Sequence, residues 1–258
     1  TRSARLRVTL DSGPAFTVGE MVITGLDRHS TELVTRLAQL PPGQRFDQTR
    51  MLEAQQRLSD SGYFDSVYIS LDTSGNPDAA VVQVRVREAK QHKLIVGLGI
   101  NTDTGPRFSL EHTVHQLPVI GWRAVTKLLY EQPMKSLGTE WTAPPDANFW
   151  RWRTSAQVAR EESGSFEVDS VMLRAGRVRT TELVDRSYFL QYERARNSGF
   201  NPPPSANAVS ANYVWTRRAF DSRLFPTSGH GLSLDVGGGM TMDGGRYPFG
   251  RFVGRWLG

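Results

Sequence analysis

The amino-acid sequence predicts a small α+β domain followed by an antiparallel transmembrane β-barrel. Two observations predict this fold class. Helical periodicity of apolar residues is confined to the first part of the chain, and from Lys93 onward apolar and polar residues alternate in one strand-like segment after another. Segment 93–101 marks the border between the two patterns. The apolar row on one side of this strand consists of Leu94, Val96, Leu98 and Ile100.

Composition limits the classes of protein to which the chain can belong. Only 38% of its 258 residues are hydrophobic, and no apolar run approaches the roughly 18 residues that a membrane helix needs. A transmembrane barrel remains open, because its strands alternate between apolar and polar residues. The net charge is +5, but the arginines are scattered through strand-like segments, so we expect no nucleic-acid partner. The absence of cysteine excludes disulfides and thiolate metal sites.

The first segments of the chain predict one short strand and then a complete small domain. Alternation over residues 5–10 predicts the last strand of a preceding domain, which we assign to residues 1–14. In the domain at 15–90, a strand at 16–26 precedes a helix capped by Ser30 and a second helix capped by Asp47. The buried stripe of the second helix is predicted to contain Met51, Leu52, Gln55 and Leu58.

Two strands complete this domain. Residues 63–71 and 81–86 alternate as strands, and the turn residues at 73–77 join them into an antiparallel hairpin. The predicted order is therefore β-α-α-β-β, which the layer rules place in the α+β class.

The spacing of particular residues in this domain resembles a known family. The pattern that carries the resemblance consists of Phe16, Gly19, Val22, Gly25, Gly43, Phe46, Leu58, Gly62, Tyr63, Phe64 and Val67. It resembles a POTRA (polypeptide-transport-associated) domain of bacterial outer-membrane assembly factors. The resemblance implies that the strand at 63–71 lies at an open edge of the sheet.

Residues 91–258 are predicted to form the N-terminal part of an outer-membrane β-barrel with about ten strands. In one typical segment, the row from Trp122 to Tyr130 carries aromatic residues at both ends and lies opposite Arg123 and Lys127. This layout is typical of a lipid-facing strand with two interfacial girdles. A counter-charged interior is expected to contain Glu111, Glu131, Glu140 and Glu161. The faces of the segments that begin at Val168 and Tyr247 are mixed, and neither is assigned a lipid side.

The connections between the barrel strands add a second resemblance. Segments 116–121 and 224–229 are predicted as short turns and 200–208 as a longer loop, which favours short turns at one end and longer loops at the other. The turn motif Asp221, Phe225, Pro226 and Gly229 resembles a turn of the BamA/TamA superfamily (bacterial surface antigen family), most nearly its TamA-type assembly factors. The Val-Arg-Gly motif of that superfamily is absent. The resemblance thus implies further POTRA domains and closing strands outside this sequence.

The sequence carries no catalytic, cofactor or metal motif, so we expect no enzyme. His112 and His115 are three residues apart on a strand and should lie on opposite faces. Asp221, Ser228 and His230 are the residue types of a hydrolase triad, but they cluster at one turn and lack a scaffold for an oxyanion hole.

The resemblance implies assembly or translocation of outer-membrane proteins, such as β-barrel or autotransporter clients. We expect clients to add a strand at the POTRA edge and at a lateral seam of the barrel. Partners would be unfolded client polypeptides, outer-membrane lipid and an inner-membrane-anchored protein, and the POTRA domain would be periplasmic. The predicted edge consists of Tyr63, Phe64, Val67, Tyr68 and Ile69, and the predicted seam of Leu94, Val96, Leu98 and Ile100.

Other functions remain open at this point. The chain could belong to a two-partner secretion pore, which shares both domain types, or to a barrel that displays a fused hydrolase. A passive porin is the fourth alternative, although a POTRA domain has no evident use in one.

Overall fold

The computed structural model describes residues 14–102, 104–181, 183–221, 227–243 and 245–258. The strand predicted at 5–10 lies outside these residues. The chain divides into two compact units, with the boundary between Ala89 and Lys90.

The first unit has the predicted order of elements. Its strands form a three-stranded sheet in the order β1-β3-β2, in which β1 is parallel and β2 antiparallel to the central β3. The helices and strands are β1 (Val18–Thr24), α1 (Thr31–Ala38), α2 (Gln48–Asp60), β2 (Phe64–Leu71), a 3-10 helix (Pro77–Ala79) and β3 (Ala80–Glu88).

Both helices begin at the predicted caps. The Ser30 side chain accepts a hydrogen bond from the Leu33 amide at 3.3 Å, and Asp47 accepts one from the Thr49 amide at 2.8 Å. Such caps satisfy backbone donors that have no partner within a helix. Neither of these helices is long and apolar enough to cross a membrane.

The core of this unit lies between the helices and one face of the sheet. Val34, Leu58, Val82 and Val84 are its largest fully buried side chains. The predicted stripe of α2 is wrong at one position, because Leu52 is 58% exposed and Ala54 is buried. Positions three and four residues apart share a helix face, so Ala54 lies in line with Leu58, whereas Leu52 is turned away from the core.

Two glycines of the POTRA-like pattern lie where the backbone passes close to β3. A Cβ atom at Gly25 would lie 1.9 Å from the Val86 carbonyl oxygen, and Gly25 has a φ of +89°. At Gly19, a Cβ atom would lie 2.6 Å from the Ala79 carbonyl oxygen. Only glycine avoids these clashes, and a positive φ also favours it.

The second unit is a ten-stranded antiparallel sheet in which every strand pairs with its sequence neighbour. Its order is therefore that of successive hairpins. The strands are β4 (His92–Asn101), β5 (Gly105–Val114), β6 (Arg123–Tyr130), β7 (Met134–Thr142), β8 (Trp150–Ser163), β9 (Phe166–Thr180), β10 (Val184–Gly199), β11 (Ala206–Phe220), β12 (Gly229–Thr241) and β13 (Tyr247–Leu257).

The two faces of this sheet differ in polarity, as the alternation predicts. A pocket of about 800 Å³ on one face, which we call the concave face, is lined by charged side chains that include Arg107 and Arg174. Ion pairs cross the strands here, among them Lys127 with Glu111 at 2.9 Å and Arg251 with Asp235 at 3.0 Å. The opposite, convex face carries apolar rows. One of them runs across adjacent strands through Val96, Leu110, Leu128, Leu137, Val158 and Val171.

The predicted contrast between short turns and long loops is only partly correct. Segments 116–121 and 200–208 do lie at opposite ends of the sheet, but the connections 131–133 and 164–165, at the same end as 200–208, are shorter than 116–121. Strands β8 to β11 are the longest of the described sheet, since each has 14 to 16 residues. About 9–11 tilted residues suffice to cross a bilayer, so these strands are longer than a span requires.

An aromatic side chain covers a glycine on the concave face. Phe189 of β10 lies directly opposite Gly176 of β9, where a Cβ atom would come within 2.5 Å of Phe189 Cβ. The Arg174 guanidinium in turn lies 4.4 Å from the centre of the Phe189 ring. Because Gly176 has no side chain, there is room for the Phe189 ring and for the Arg174 guanidinium beside it.

Candidate functional site

Strand β2 forms an edge of the first sheet, because it pairs with β3 on one side only among the described residues. The Asp72 amide donates to the Val81 carbonyl at 2.8 Å, so Asp72 and every second residue before it on β2 form hydrogen bonds with β3. Amides of the alternate residues Val67, Ile69 and Leu71 are therefore directed away from β3. These are the donors that an added strand would use.

One of these edge donors is already occupied. The Ile69 amide donates to the side-chain oxygen Oε1 of Gln55 on α2, at 3.2 Å. The sequence pattern placed Gln55 in the buried stripe of α2, and only the folded structure brings it to the edge of the sheet. An incoming strand must displace Gln55 before it can pair with Ile69.

The side chains of the predicted edge residues differ in exposure. Tyr63, Phe64 and Ile69 are 4%, 5% and 6% exposed and belong to the core. Val67 packs against the core as well, whereas Tyr68 is 58% exposed. Tyr63 precedes the strand, which begins at Phe64. Among the predicted edge residues, Tyr68 is therefore the one whose side chain is exposed.

The end of β3 is fixed by a cluster of hydrogen bonds to Glu88. Its Oε1 accepts from the amides of Asp27, Arg28 and His29 at 3.1, 2.9 and 2.8 Å, and its Oε2 accepts from Arg28 Nε at 2.9 Å. Arg28 Nη2 also donates to the carbonyl of Ala89. The last residues before the second unit are thereby tied to the loop after β1.

These bonds determine the ionisation of the carboxylate. Burial of the Glu88 side chain opposes its charge, but the backbone and side-chain donors outweigh burial and lower the pKa of Glu88 to about 2. Burial also lowers the pKa of neighbouring His29. The His29 ring packs edge-on against Tyr63 at 5.1 Å and Phe64 at 5.9 Å. The anchored loop is therefore joined to the start of β2.

Strand β4 forms an edge of the second sheet, since within the described chain it pairs only with β5. The predicted seam residues Leu94, Val96, Leu98 and Ile100 are 61%, 53%, 82% and 90% exposed. The His115 amide donates to the Gln91 carbonyl at 2.9 Å, so the odd-numbered residues of β4 bond to β5. Amides of the even-numbered residues, which carry the apolar row, are directed away from β5.

The predicted turn motif is described at two of its four positions. Asp221 Oδ1 accepts from the amides of Thr227 at 3.0 Å and Ser228 at 3.1 Å, and Thr227 Oγ1 donates to Oδ2. At Gly229, φ is +130° and a Cβ atom would lie 2.2 Å from the Ala219 carbonyl oxygen. Phe225 and Pro226 lie outside the described residues. The Asp221 carboxylate therefore stabilises the turn, which is a local structural role.

Across the described residues, no three His, Cys, Asp or Glu side chains come close enough to hold a metal. His112 instead lies beside His92, with Nε2 of the former 3.3 Å from Nδ1 of the latter. His115 is buried at 6% exposure.

Comparisons with known proteins bear on both units. Residues 16–89 match the POTRA family, described as the surface antigen variable number repeat. The fold is similar to that of BamA from Haemophilus ducreyi lacking POTRA domains 1–3, with a TM-score of 0.56 and 13% identity over 91% of this chain and 50% of that one. It is also similar to CdiB from Acinetobacter baumannii, with a TM-score of 0.57 and 12% identity over 94% of this chain and 49% of that one.

The chain spans about half the length of these two solved structures. At such low identity the similarity shows the fold: a POTRA domain followed by a ten-stranded antiparallel sheet of the kind found in the BamA and CdiB barrels. The family match itself covers residues 16–89.

Proposed function

We propose that this chain belongs to an outer-membrane factor that assembles or exports client polypeptides. The observation that carries the proposal is the β2 edge of the POTRA domain, where β2 pairs with β3 alone among the described residues. An exposed edge is a template for another strand, because its unpaired amides and carbonyls bind an extended chain. The POTRA domain would lie in the periplasm and the sheet in the outer membrane.

The apolar row of β4 supports a role at a lateral seam. Its four side chains are directed to the convex face, which a bilayer would cover, while the amides of the same residues are directed away from β5 along the sheet. A client strand that pairs with β4 would therefore meet lipid and a hydrogen-bonding edge at the same place. In hydrocarbon an unpaired backbone group costs several kcal/mol, which favours such pairing.

Site-specific photo-crosslinking tests this proposal. A benzoylphenylalanine residue would replace Leu98 at the β4 edge or Tyr68 at the β2 edge, and newly made outer-membrane proteins would be labelled in a pulse. A matched control replaces Leu137, which is on the convex face at 46% exposure but within the interior strand β7. We expect client adducts at Leu98 and Tyr68 and few at Leu137. Equal yields at all three positions would contradict templating.

A two-partner secretion pore is the second candidate, because the fold similarity to CdiB is as high as that to BamA. The same crosslinking experiment separates the two functions. An assembly factor should form adducts with many outer-membrane barrel proteins, whereas a secretion pore should form adducts with one dedicated exported protein.

A further inference from the structure

Two arginines lie between two tryptophans in a row that crosses four neighbouring strands. Trp150 of β8 is directly opposite Arg179 of β9, Arg179 is opposite Arg186 of β10, and Arg186 is opposite Trp215 of β11. We call these four residues the Trp-Arg-Arg-Trp row. The row lies at the end of the sheet where β4, β8 and β10 begin.

The row belongs to the convex, apolar face. Arg174 lines the pocket on the concave face, so Arg177 and Arg179, three and five residues later on the same strand, are directed to the opposite side. The Arg177 guanidinium lies 5.8 Å from the ring centre of Trp150 and 5.6 Å from that of Trp152. Arginines and aromatic rings therefore share one surface.

A second aromatic row runs beside the first, one step further into the sheet. It consists of Trp152, Arg177, Tyr188 and Tyr213 on the same four strands. Trp150 connects the two rows, since its ring lies 5.3 Å from that of Tyr188. Tryptophan and tyrosine concentrate where a bilayer meets water, so these rows indicate the depth of lipid headgroups.

The charges of the Trp-Arg-Arg-Trp row are not balanced within the described part of the chain. Arg177 forms an ion pair with Asp146, but the structure gives neither Arg179 nor Arg186 a hydrogen bond or ion pair with any described residue. Like charges directly opposite each other on adjacent strands are destabilising. Arg217, which is exposed and diagonal to Arg186, adds a third cation on the same face.

We propose that the Trp-Arg-Arg-Trp row binds the phosphate group of an anionic glycerophospholipid in the adjoining leaflet. This inference rests on the membrane location in the proposed function. A phosphate between Arg179 and Arg186 converts their repulsion into two charge-assisted contacts, because a guanidinium fork matches two phosphate oxygens. The flanking tryptophan rings then lie against the glycerol and upper acyl region, and the lipid becomes a fixed neighbour of strands β8 to β11.

The far end of the same face shows a different arrangement. There Arg160 of β8 is held by Asp169 of β9 through two hydrogen bonds, at 2.7 and 3.1 Å. Arg194 and Arg196 of β10 lie opposite Val171 and Asp169, so neither meets another arginine across the strand. This pair provides a control with the same change in charge, on the same strand and face.

Native mass spectrometry of the detergent-purified protein tests the proposal. Phosphatidylglycerol and phosphatidylcholine with identical acyl chains are offered at equal concentration, and retained lipid is counted. At about 1 kcal/mol for each arginine near the surface, two arginines predict a preference of roughly 10- to 30-fold for phosphatidylglycerol. Arg179→Gln with Arg186→Gln should abolish that preference, and Arg194→Gln with Arg196→Gln should leave it intact.

Several results would overturn the proposal. Equal retention of the two lipids by the unaltered protein would overturn it, and this measurement does not depend on whether a variant folds. An unchanged preference in the Arg179 and Arg186 double variant would do so as well. Displacement of the lipid by inorganic phosphate at millimolar concentration would show a free-anion site instead. Client crosslinking at Leu98, measured separately, tests the proposed function without affecting the lipid result.

Discussion

Arg28 Nε lies 2.9 Å from Glu88 Oε2, which joins the loop after β1 to the last residue of β3 across 60 positions of sequence. The same carboxylate accepts three consecutive backbone amides through its other oxygen. The arrangement resembles the backbone nests that bind anions, except that the anion is the protein's own side chain.

Replacement of this carboxylate should destabilise the POTRA domain in a pH-dependent manner. The folded pKa of about 2 lies below the ordinary value of 4.5, so the contribution of Glu88 is complete above about pH 4.5 and is lost as the pH falls toward 2. At pH 7, Glu88→Gln should lower the free energy of unfolding by on the order of 2–3 kcal/mol. Hydrogen exchange of the amides of residues 27–29 would measure this change.

The matched control for that experiment is Glu32→Gln. Glu32 pairs with Arg36 one turn along α1 and is largely exposed. An exposed pair of this kind contributes at most about 0.5 kcal/mol. If the two variants were equally stable at pH 7, or if the loss in Glu88→Gln persisted unchanged near pH 2, the assigned role of Glu88 would be wrong.

Removal of the Gln55 side chain should open the β2 edge. Gln55→Ala frees the Ile69 amide, so exchange at Ile69 should become faster and an extended peptide should bind β2 more tightly. Loss of one competing hydrogen bond of 0.5–1.5 kcal/mol corresponds to about a 2- to 13-fold gain in affinity. The control is Gln56→Ala, because Gln56 donates to Asp60 on the same helix and to no other described residue. No gain over that control would indicate that clients do not use this edge.

Proline in β4 should separate pairing at the free edge from pairing within the sheet. The Val96 amide is directed to the free edge, so Val96→Pro removes a templating donor and keeps every bond to β5. We expect client crosslinking at Leu98 to fall severalfold while the protein remains folded, as judged by heat-dependent mobility in gels. Val96→Ala should behave like the unaltered protein. Gly97→Pro should destabilise the sheet itself, because Gly97 bonds to β5.

A methyl group at Gly176 should destabilise the sheet. Its Cβ would lie 2.2 Å from the Tyr188 carbonyl oxygen and 2.5 Å from Phe189 Cβ, so strands β9 and β10 must separate or distort. Such overpacking typically costs about 1–3 kcal/mol. Gly250→Ala is the control, since nothing lies within 4 Å of a Cβ there. Equal thermal unfolding temperatures for Gly176→Ala and Gly250→Ala would contradict the proposed role of Gly176.

Local chemistry explains why much of this structure could be predicted from the sequence. The caps at Ser30 and Asp47 and the hairpins of the second unit depend on residues a few positions apart. The contact of Arg28 with Glu88 joins distant residues, and no local pattern indicates it. The same limit applies to Gln55, whose spacing suggests burial and whose side-chain oxygen accepts a hydrogen bond from an edge amide of β2.

The Trp-Arg-Arg-Trp row was missed for a different reason. A periodicity argument assigns the lipid side of a strand by its apolar residues, and Arg177 and Arg179 fall among those of β9. The alternation of this segment is therefore mixed. The pairing of Arg179 with Arg186 depends on the register of two strands, which single-sequence alternation does not determine.

The central position of β3 also has a mechanical consequence. The chain enters the sheet at Val18 in β1 and leaves it at Glu88 in β3, and these two strands are parallel neighbours. Tension applied to the chain at these two points would thus pull the two strands in opposite directions along their length. Their hydrogen bonds would be loaded in shear and share the force, instead of breaking one after another as in a peeled hairpin. The fold is suited to carry load along the chain.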